Sequence, residues 1–257
     1  MAYRHADWLI LWEVDRYFDL TSAQKASLDR TLATTLARHR AEALPTYETF
    51  LSQVRDRVRA GLTREDVDWA FATYQTLRAD LFERIVSDGG MFLASVSDEQ
   101  VRYFETAIQK DHQKRVKAVK ADSDERLAKR AADTVELAED WLGPLTAEQK
   151  KHMTQLSLAV PDLQAQWLDY QWQTQQEAIA TLRSKPTAAE LSVRLREWLV
   201  HSERRAPPSY RQALADMRTA LKELILSIDH IATPRQRAHV VAKLQNLIET
   251  IHQLKVS

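Results

Sequence analysis

Catalysis requires particular side chains within a few ångströms of one another, so the residues able to act chemically are considered first. Eight histidines are present: His5, His39, His112, His152, His201, His230, His239 and His252. Two imidazoles three or four positions apart on a helix can share a metal ion, but no two of these stand at that spacing, and there is no His-Glu-x-x-His. The absence of cysteine removes thiol nucleophiles, thiolate metal sites and disulfides. No phosphate-cradling glycine loop, nucleophile elbow or dinucleotide fingerprint occurs. Carboxylates at i, i+3 and i+4 are frequent, but they alternate with Lys and Arg and read as halves of ion pairs on helix surfaces. The expectation is a non-enzymatic chain with no catalytic residue, no metal site and no cofactor.

The polar chemistry that does recur is helix capping. In Ser/Thr-x-x-Gln/Glu/Asp the first side chain accepts from the third helical N–H, and the later side chain reaches back to the N–H of the cap. Six such pairs occur: Thr21 with Gln24, Thr63 with Asp66, Ser97 with Gln100, Thr146 with Gln149, Thr187 with Glu190, and Thr233 with Gln236. Asp66 is the shortest partner and the weakest version. True caps at Thr21 and Thr146 predict a loss of about 0.5–2 kcal/mol for each Thr→Ala substitution, measured by denaturant unfolding. Leu20 and Leu145 face Lys25 and Lys150 at the position where a local hydrophobic staple needs an apolar residue. They must therefore be pinned by another helix.

These pairs require helices to carry them, and the composition provides for helices. Ala, Leu, Gln, Glu, Lys and Arg are abundant, and there are only four glycines, Gly61, Gly89, Gly90 and Gly143. Each glycine falls where one helix is expected to end before the next begins, which leaves none for a helix interior. Pro45, Pro161, Pro186, Pro207, Pro208 and Pro234 mark kinks or first-turn positions. Apolar residues three and four apart predict core faces along Val67, Ala70, Tyr74, Leu77, Leu81 and Ile85; along Tyr210, Leu214, Met217, Leu221, Leu224 and Ile228; and along Val240, Leu244, Leu247, Ile251 and Leu254. The span from Asp98 to Asp140 could run as one helix of roughly 65 Å, with a re-start at Asp122 if it breaks.

The capping pairs also repeat at nearly constant offsets. Thr21 and Thr146 are 125 residues apart, Thr63 and Thr187 are 124 apart, and Ser97 and Thr233 are 136 apart, the longer interval accommodating HSERRAPPSY at 201–210. The reading is a tandem duplication. Its fold is all-α: long antiparallel helices in two tandem units that form an elongated or cupped bundle. The expected divisions are a Trp-rich helix at 1–19, a first unit at 20–140 and a second at 141–257.

Thirty-six basic and 36 acidic residues give a formal charge of zero, which argues against nucleic acid as a partner. No stretch approaches the 18 or so apolar residues of a membrane span. Three groups of residues suit binding. Trp8 and Trp12 share a face of the first helix and are expected to pack it onto the body, with a membrane-interface contact as the alternative. In QAQWLDYQWQTQQ, Trp167 and Tyr170 lie together and Trp172 points elsewhere, so one face is expected to stay partly open as a protein-binding surface. Arg204, Arg205 and Tyr210 lie in a basic loop that could attract acidic segments of a partner.

Leu20-Thr21-Ser22-Ala23-Gln24 and Leu145-Thr146-Ala147-Glu148-Gln149 resemble the LTxxQ signature of the Spy and CpxP family of periplasmic helical proteins. In that family the signature occurs twice within a unit. Val96-Ser97-Asp98-Glu99-Gln100 and Ala232-Thr233-Pro234-Arg235-Gln236 stand where second copies would belong, without the leading Leu and, in the first, with Ser for Thr. The opening ADWLILWEVDRYFDLTSAQKASLDRTLATTLARHRAEALPTYETFL resembles an uncharacterised family of proteobacterial lipoproteins. Together the resemblances imply a periplasmic lipoprotein, anchored to the outer membrane through a lipidated cysteine upstream of residue 1. They also imply a monomer that does internally what the smaller family does by dimerising. The implied function is ATP-independent holding of partly unfolded protein clients; the alternative is an adaptor for one dedicated envelope partner.

Overall fold

The computed structural model describes residues 5–120 and 123–256. Among these there are twelve helices and no strand, so the fold is all-α. In chain order the helices are α1 (Ala6–Phe18), α2 (Ser22–Glu42), α3 (Leu44–Ala60), α4 (Arg64–Ala94), α5 (Asp98–Lys120), α6 (Ser123–Leu142), α7 (Ala147–Ala159), α8 (Gln164–Arg183), α9 (Ala188–Leu199), α10 (Ser202–Arg205), α11 (Pro208–Ile231) and α12 (Pro234–Val256). The Ser or Thr of each of the six capping pairs stands immediately before a helix, at the starts of α2, α4, α5, α7, α9 and α12. The span 98–140 holds two helices, α5 and α6; Asp122 lies outside the described residues.

The helices form two compact units, and each unit draws on both halves of the chain. Unit 1 comprises residues up to Ala41, Arg78–Ala118 and Ala165–Pro207; unit 2 comprises Glu42–Leu77, Val119–Gln164 and Pro208 onward. The first half, α1–α5, thus contributes α1, α2, α5 and the C-terminal part of α4 to unit 1, and sends α3 and the N-terminal part of α4 to unit 2. The second half, α6–α12, contributes α6, α7, α11 and α12 to unit 2, and sends α8, α9 and α10 to unit 1. The expected consecutive units 20–140 and 141–257 therefore do not coincide with the compact ones. Periodicity identifies an apolar face but cannot say which of two similar halves will cover it.

In unit 1, Phe18, Leu20, Val101 and Ile108 pack with Ile179, Leu182 and Leu191. Phe18 stacks on Phe104 with ring centroids 4.6 Å apart and meets Phe92 edge-on. In unit 2 the cluster of Ala138, Leu142 and Met153 is closed by Val135, Leu145, Ile228, Ile231, Ala232 and Val240. Met153 is fully enclosed, which favours the folded state by about 1.5–3 kcal/mol relative to exposure.

Gly89 and Gly90 lie inside α4 and do not end it. A Cβ at Gly90 would come within 2.1 Å of Ser192 Oγ and 2.7 Å of the Ala188 carbonyl oxygen, so the missing side chain is what lets α9 approach α4. The stripe from Val67 to Ile85 is also not one core face. Val67 is buried, while Tyr74, Leu81 and Ile85 are exposed and Val86 is buried in their place. α4 passes from unit 2 to unit 1 after Leu77, and each part buries its own side. In α12, similarly, Ile248 is buried and Leu247 exposed.

Candidate functional site

In each unit, two capped helix starts meet through a pair of glutamines. In unit 1 the Thr21 N–H donates to Gln24 Oε1 at 3.1 Å and the Gln24 N–H donates to Thr21 Oγ1 at 3.3 Å. Ser97 and Gln100 repeat this at 3.1 and 3.2 Å. The two side-chain amides then face each other: Gln24 Nε2 donates to Gln100 Oε1 at 3.0 Å, and Gln100 Nε2 donates to Gln24 Oε1 at 2.7 Å. Each Nε2 also donates to a carbonyl ahead of the opposite helix, Ser95 for Gln24 and Asp19 for Gln100, both at 3.3 Å.

Unit 2 builds the same clasp. The Thr146 and Gln149 box holds at 3.0 and 3.2 Å, and that of Thr233 and Gln236 at 2.9 and 3.2 Å. Gln149 Nε2 donates to Gln236 Oε1 at 2.9 Å and the return bond is 3.1 Å. The further donations go to the carbonyls of Ile231 at 3.0 Å and Pro144 at 2.9 Å. Every amide uses both of its hydrogens and accepts at least twice, which explains why these positions hold Gln. A Glu has no hydrogen to give across the pair. The two boxes without a facing partner use acids instead: Asp66 accepts the Thr63 N–H at 3.0 Å, and Glu190 accepts the Thr187 N–H at 2.8 Å. The Thr63 backbone and hydroxyl, and then Arg57, hold the Asp66 carboxyl below its ordinary range; the Thr187 backbone and hydroxyl do the same for Glu190.

A carboxylate from the preceding helix completes each clasp. Asp15 accepts the Leu20 N–H at 2.9 Å and pairs with Lys25 at 2.8 Å; Glu139 accepts the Leu145 N–H at 3.4 Å and pairs with Lys150 at 2.7 Å. Lys25 and then the Leu20 N–H pull the Asp15 carboxyl down, and Lys150 and then the Leu145 N–H act likewise on Glu139. Sequence reasoning does not reach Asp15 and Glu139, and it meets Lys25 and Lys150 only as residues that cannot staple Leu20 and Leu145. The signal was the lysine that closes both DLTSAQK and PLTAEQK. Leu20 is buried in the unit 1 cluster and Leu145 packs against that of unit 2.

The aromatic and basic residues do not form one site. Trp167 remains exposed, with the Arg115 guanidinium 5.4 Å from its ring centre and Arg115 Nη1 donating to Gln171 Oε1 at 3.0 Å. Trp172 stacks on His112 at 4.1 Å and packs against the unit 1 cluster, while the Tyr170 hydroxyl donates to the Ser202 carbonyl. Trp167 and Tyr170 thus have separate partners. Arg205 pairs with Glu177 and Arg204 with Glu197. Tyr210 is buried in the first turn of α11, in unit 2, and so belongs to a helix and not to a basic loop.

Trp8 and Trp12, expected to pack α1 onto the body, are 60% and 53% exposed. Leu11, Val14, Tyr17 and Phe18 make that contact instead. Leu9 and Ile10 are exposed too, so the first turns of α1 present large apolar groups on more than one side. In unit 2 an apolar cleft of about 450 Å³ lies along Leu127, Ala128, Ala131 and Ala132 of α6 and Thr154 and Leu158 of α7.

Among the described residues there is no group of three or more His, Asp or Glu that could hold a metal ion, and no helix is long and apolar enough to cross a membrane. Residues 16–211 match the family model described as a family of unknown function, DUF6279. No curated protein and no solved structure matches the chain.

Proposed function

The chain belongs to the DUF6279 family, and from that premise we propose that it is a non-enzymatic protein-binding lipoprotein of the periplasm that holds partly unfolded clients without ATP. The observation that carries the reading is the pairing of signature copies within each compact unit, Gln24 with Gln100 and Gln149 with Gln236. This is the number of copies per unit that the resemblance to the Spy and CpxP family implies. Exposed Trp8, Trp12 and Trp167 supply apolar surface for a client, and the neighbouring glutamines of α8 tolerate varied sequences.

The test is aggregation of several chemically unfolded clients with stoichiometric protein, at low and moderate salt. Suppression is expected, and it should fall when Trp8→Ser and Trp12→Ser are combined. Absence of suppression for every client sinks the reading. Concentration of exposed large apolar groups at the start of α1 favours a second reading, an adaptor with one envelope partner. Pull-down from envelope extracts separates the two, since an adaptor returns one dominant protein and a holding protein returns a spread.

A further inference from the structure

Exposed tryptophans and unpaired lysines gather at one end of unit 1, away from the glutamine clasp. We propose that this end docks on a bilayer that carries anionic phospholipid, with the indoles seated among the headgroups and the lysines on the phosphates.

The order of contacts brings these residues together. Phe18 of α1 stacks on Phe104 of α5, and Arg16, two residues earlier, reaches Asp111 at 3.1 Å, so α1 runs antiparallel to α5. Along α8, Arg183 pairs with Glu105, Trp172 stacks on His112, and Gln171 accepts from Arg115, so α8 is antiparallel to α5 as well. The starts of α1 and α8 therefore lie at the same end of unit 1 as the last turns of α5.

Each helix brings part of the patch. α1 brings Trp8 and Trp12, and α8 brings Trp167, all exposed. Lys110, Lys114 and Lys117 of α5, spaced four and three apart, are exposed on the side opposite buried Ile108 and make no ion pair among the described residues. Arg115, beside Trp167, is a fourth cation. Glu13 and Asp111 are both engaged by Arg16, which leaves Asp7 and Asp169 set against the four. The patch is thus locally basic in a chain of zero net charge.

Charge selects an anionic partner, and the shape of α1 selects a bilayer over a polypeptide. At about 100° per residue, Trp8, Leu9, Ile10 and Trp12 spread apolar groups over about 200° of the helix. A groove or a bound peptide covers one side of a helix, whereas a fluid interface closes around a protruding end. Indole, with an apolar body and a polar N–H, suits the headgroup boundary. Each lysine close to an anionic surface strengthens binding by about fivefold.

The test sediments the full chain with vesicles of phosphatidylglycerol and phosphatidylethanolamine in equal parts. No client protein is present, so the outcome is separate from that of client holding. Binding is expected, with a blue shift of tryptophan emission and weakening by added salt. Lys110→Gln, Lys114→Gln and Lys117→Gln combined should weaken binding by roughly 100-fold. Trp8→Ser with Trp12→Ser should weaken it too and remove most of the emission shift. Leu137→Ser, at the same 60% exposure as Trp8 but in unit 2, should leave it unchanged. Helical circular dichroism checks that each variant folds; if the triple variant does not, Lys114→Gln alone should show a loss of about fivefold.

No sedimentation, equal binding to vesicles of phosphatidylcholine alone, or binding unmoved by the lysine substitutions would overturn the proposal. So would lysine-dependent binding of polyglutamate without binding to vesicles, which would assign the patch to an acidic protein segment.

Discussion

Units 1 and 2 share the glutamine clasp and differ in what surrounds it. The residue after Gln100 is Val101, buried in a cluster rich in aromatic side chains; the residue after Gln236 is Arg237, which pairs with Asp229 at 2.6 Å and caps the Val58 carbonyl. Both arrangements fix a helix start against its neighbours, one by apolar burial and the other by a charge-assisted network. The clasp itself tolerates little change, because every hydrogen and lone pair on its amides is assigned. The cores around it need only fill their space, which many residues can do. Unit 2 is the more enclosed at the clasp: Gln149 and Gln236 are both buried, whereas Gln24 of unit 1 is half-buried.

The largest test of this contrast is at equivalent core positions. Met153→Ala removes a fully enclosed side chain and should cost about 2–5 kcal/mol by denaturant unfolding. Leu28→Ala, its half-buried counterpart in unit 1, should cost less; equal losses would deny that unit 2 is the tighter unit. Next is the clasp. Gln149→Leu takes from the Gln236 amide the two bonds across the pair and leaves the Ile231 carbonyl without its donor in a buried setting, a loss of about 1–3 kcal/mol. Gln24→Leu should lose less, because water can reach the site.

A smaller effect is expected at the turn before the first box. Asp19 takes φ 47° where unit 2 has Gly143 at φ 81°. Asp19→Gly relieves a left-handed strain of about 1–2 kcal/mol and adds chain entropy worth about 0.5–1 kcal/mol, so a net gain of about 0.5 kcal/mol is expected in the urea midpoint. A loss would show that the Asp19 side chain matters at that turn.

The smallest effect concerns acid. The Glu139 and Asp15 carboxyls are held below their ordinary values of 4.5 and 3.8, so what they contribute is complete above those values and is lost as pH falls through the lowered ones. Glu139→Gln should remove the part of the acid loss that sets in as pH falls below 4.5, and Asp15→Asn the part that sets in below 3.8. Identical urea-midpoint profiles between pH 6 and 2 for the two variants would remove the distinction.

The helix starts were legible because a capping box is local: a Ser or Thr and the residue three positions later meet by helix geometry alone, as at Thr21 with Gln24. The place of the two glycines in α4 was not. Gly90 serves a close approach to Ser192, about a hundred positions away, and no local pattern distinguishes that use from a helix end. Trp8 and Trp12 were misjudged for a related reason: two aromatics on one helix face indicate an apolar face without indicating whether anything covers it.

Sequence by itself determined that the chain is helical, where six of its helices begin, and that the order of caps in the first half returns in the second, because these depend on contacts within a few residues or on simple recurrence. Only the tertiary structure decided that the glutamines clasp in pairs, Gln24 with Gln100 and Gln149 with Gln236, and that α3 and α8 each leave their own half. Those choices depend on which of two nearly equivalent apolar faces meets which groove. Such choices are made between residues 76 to 190 positions apart, where chain order imposes no geometry.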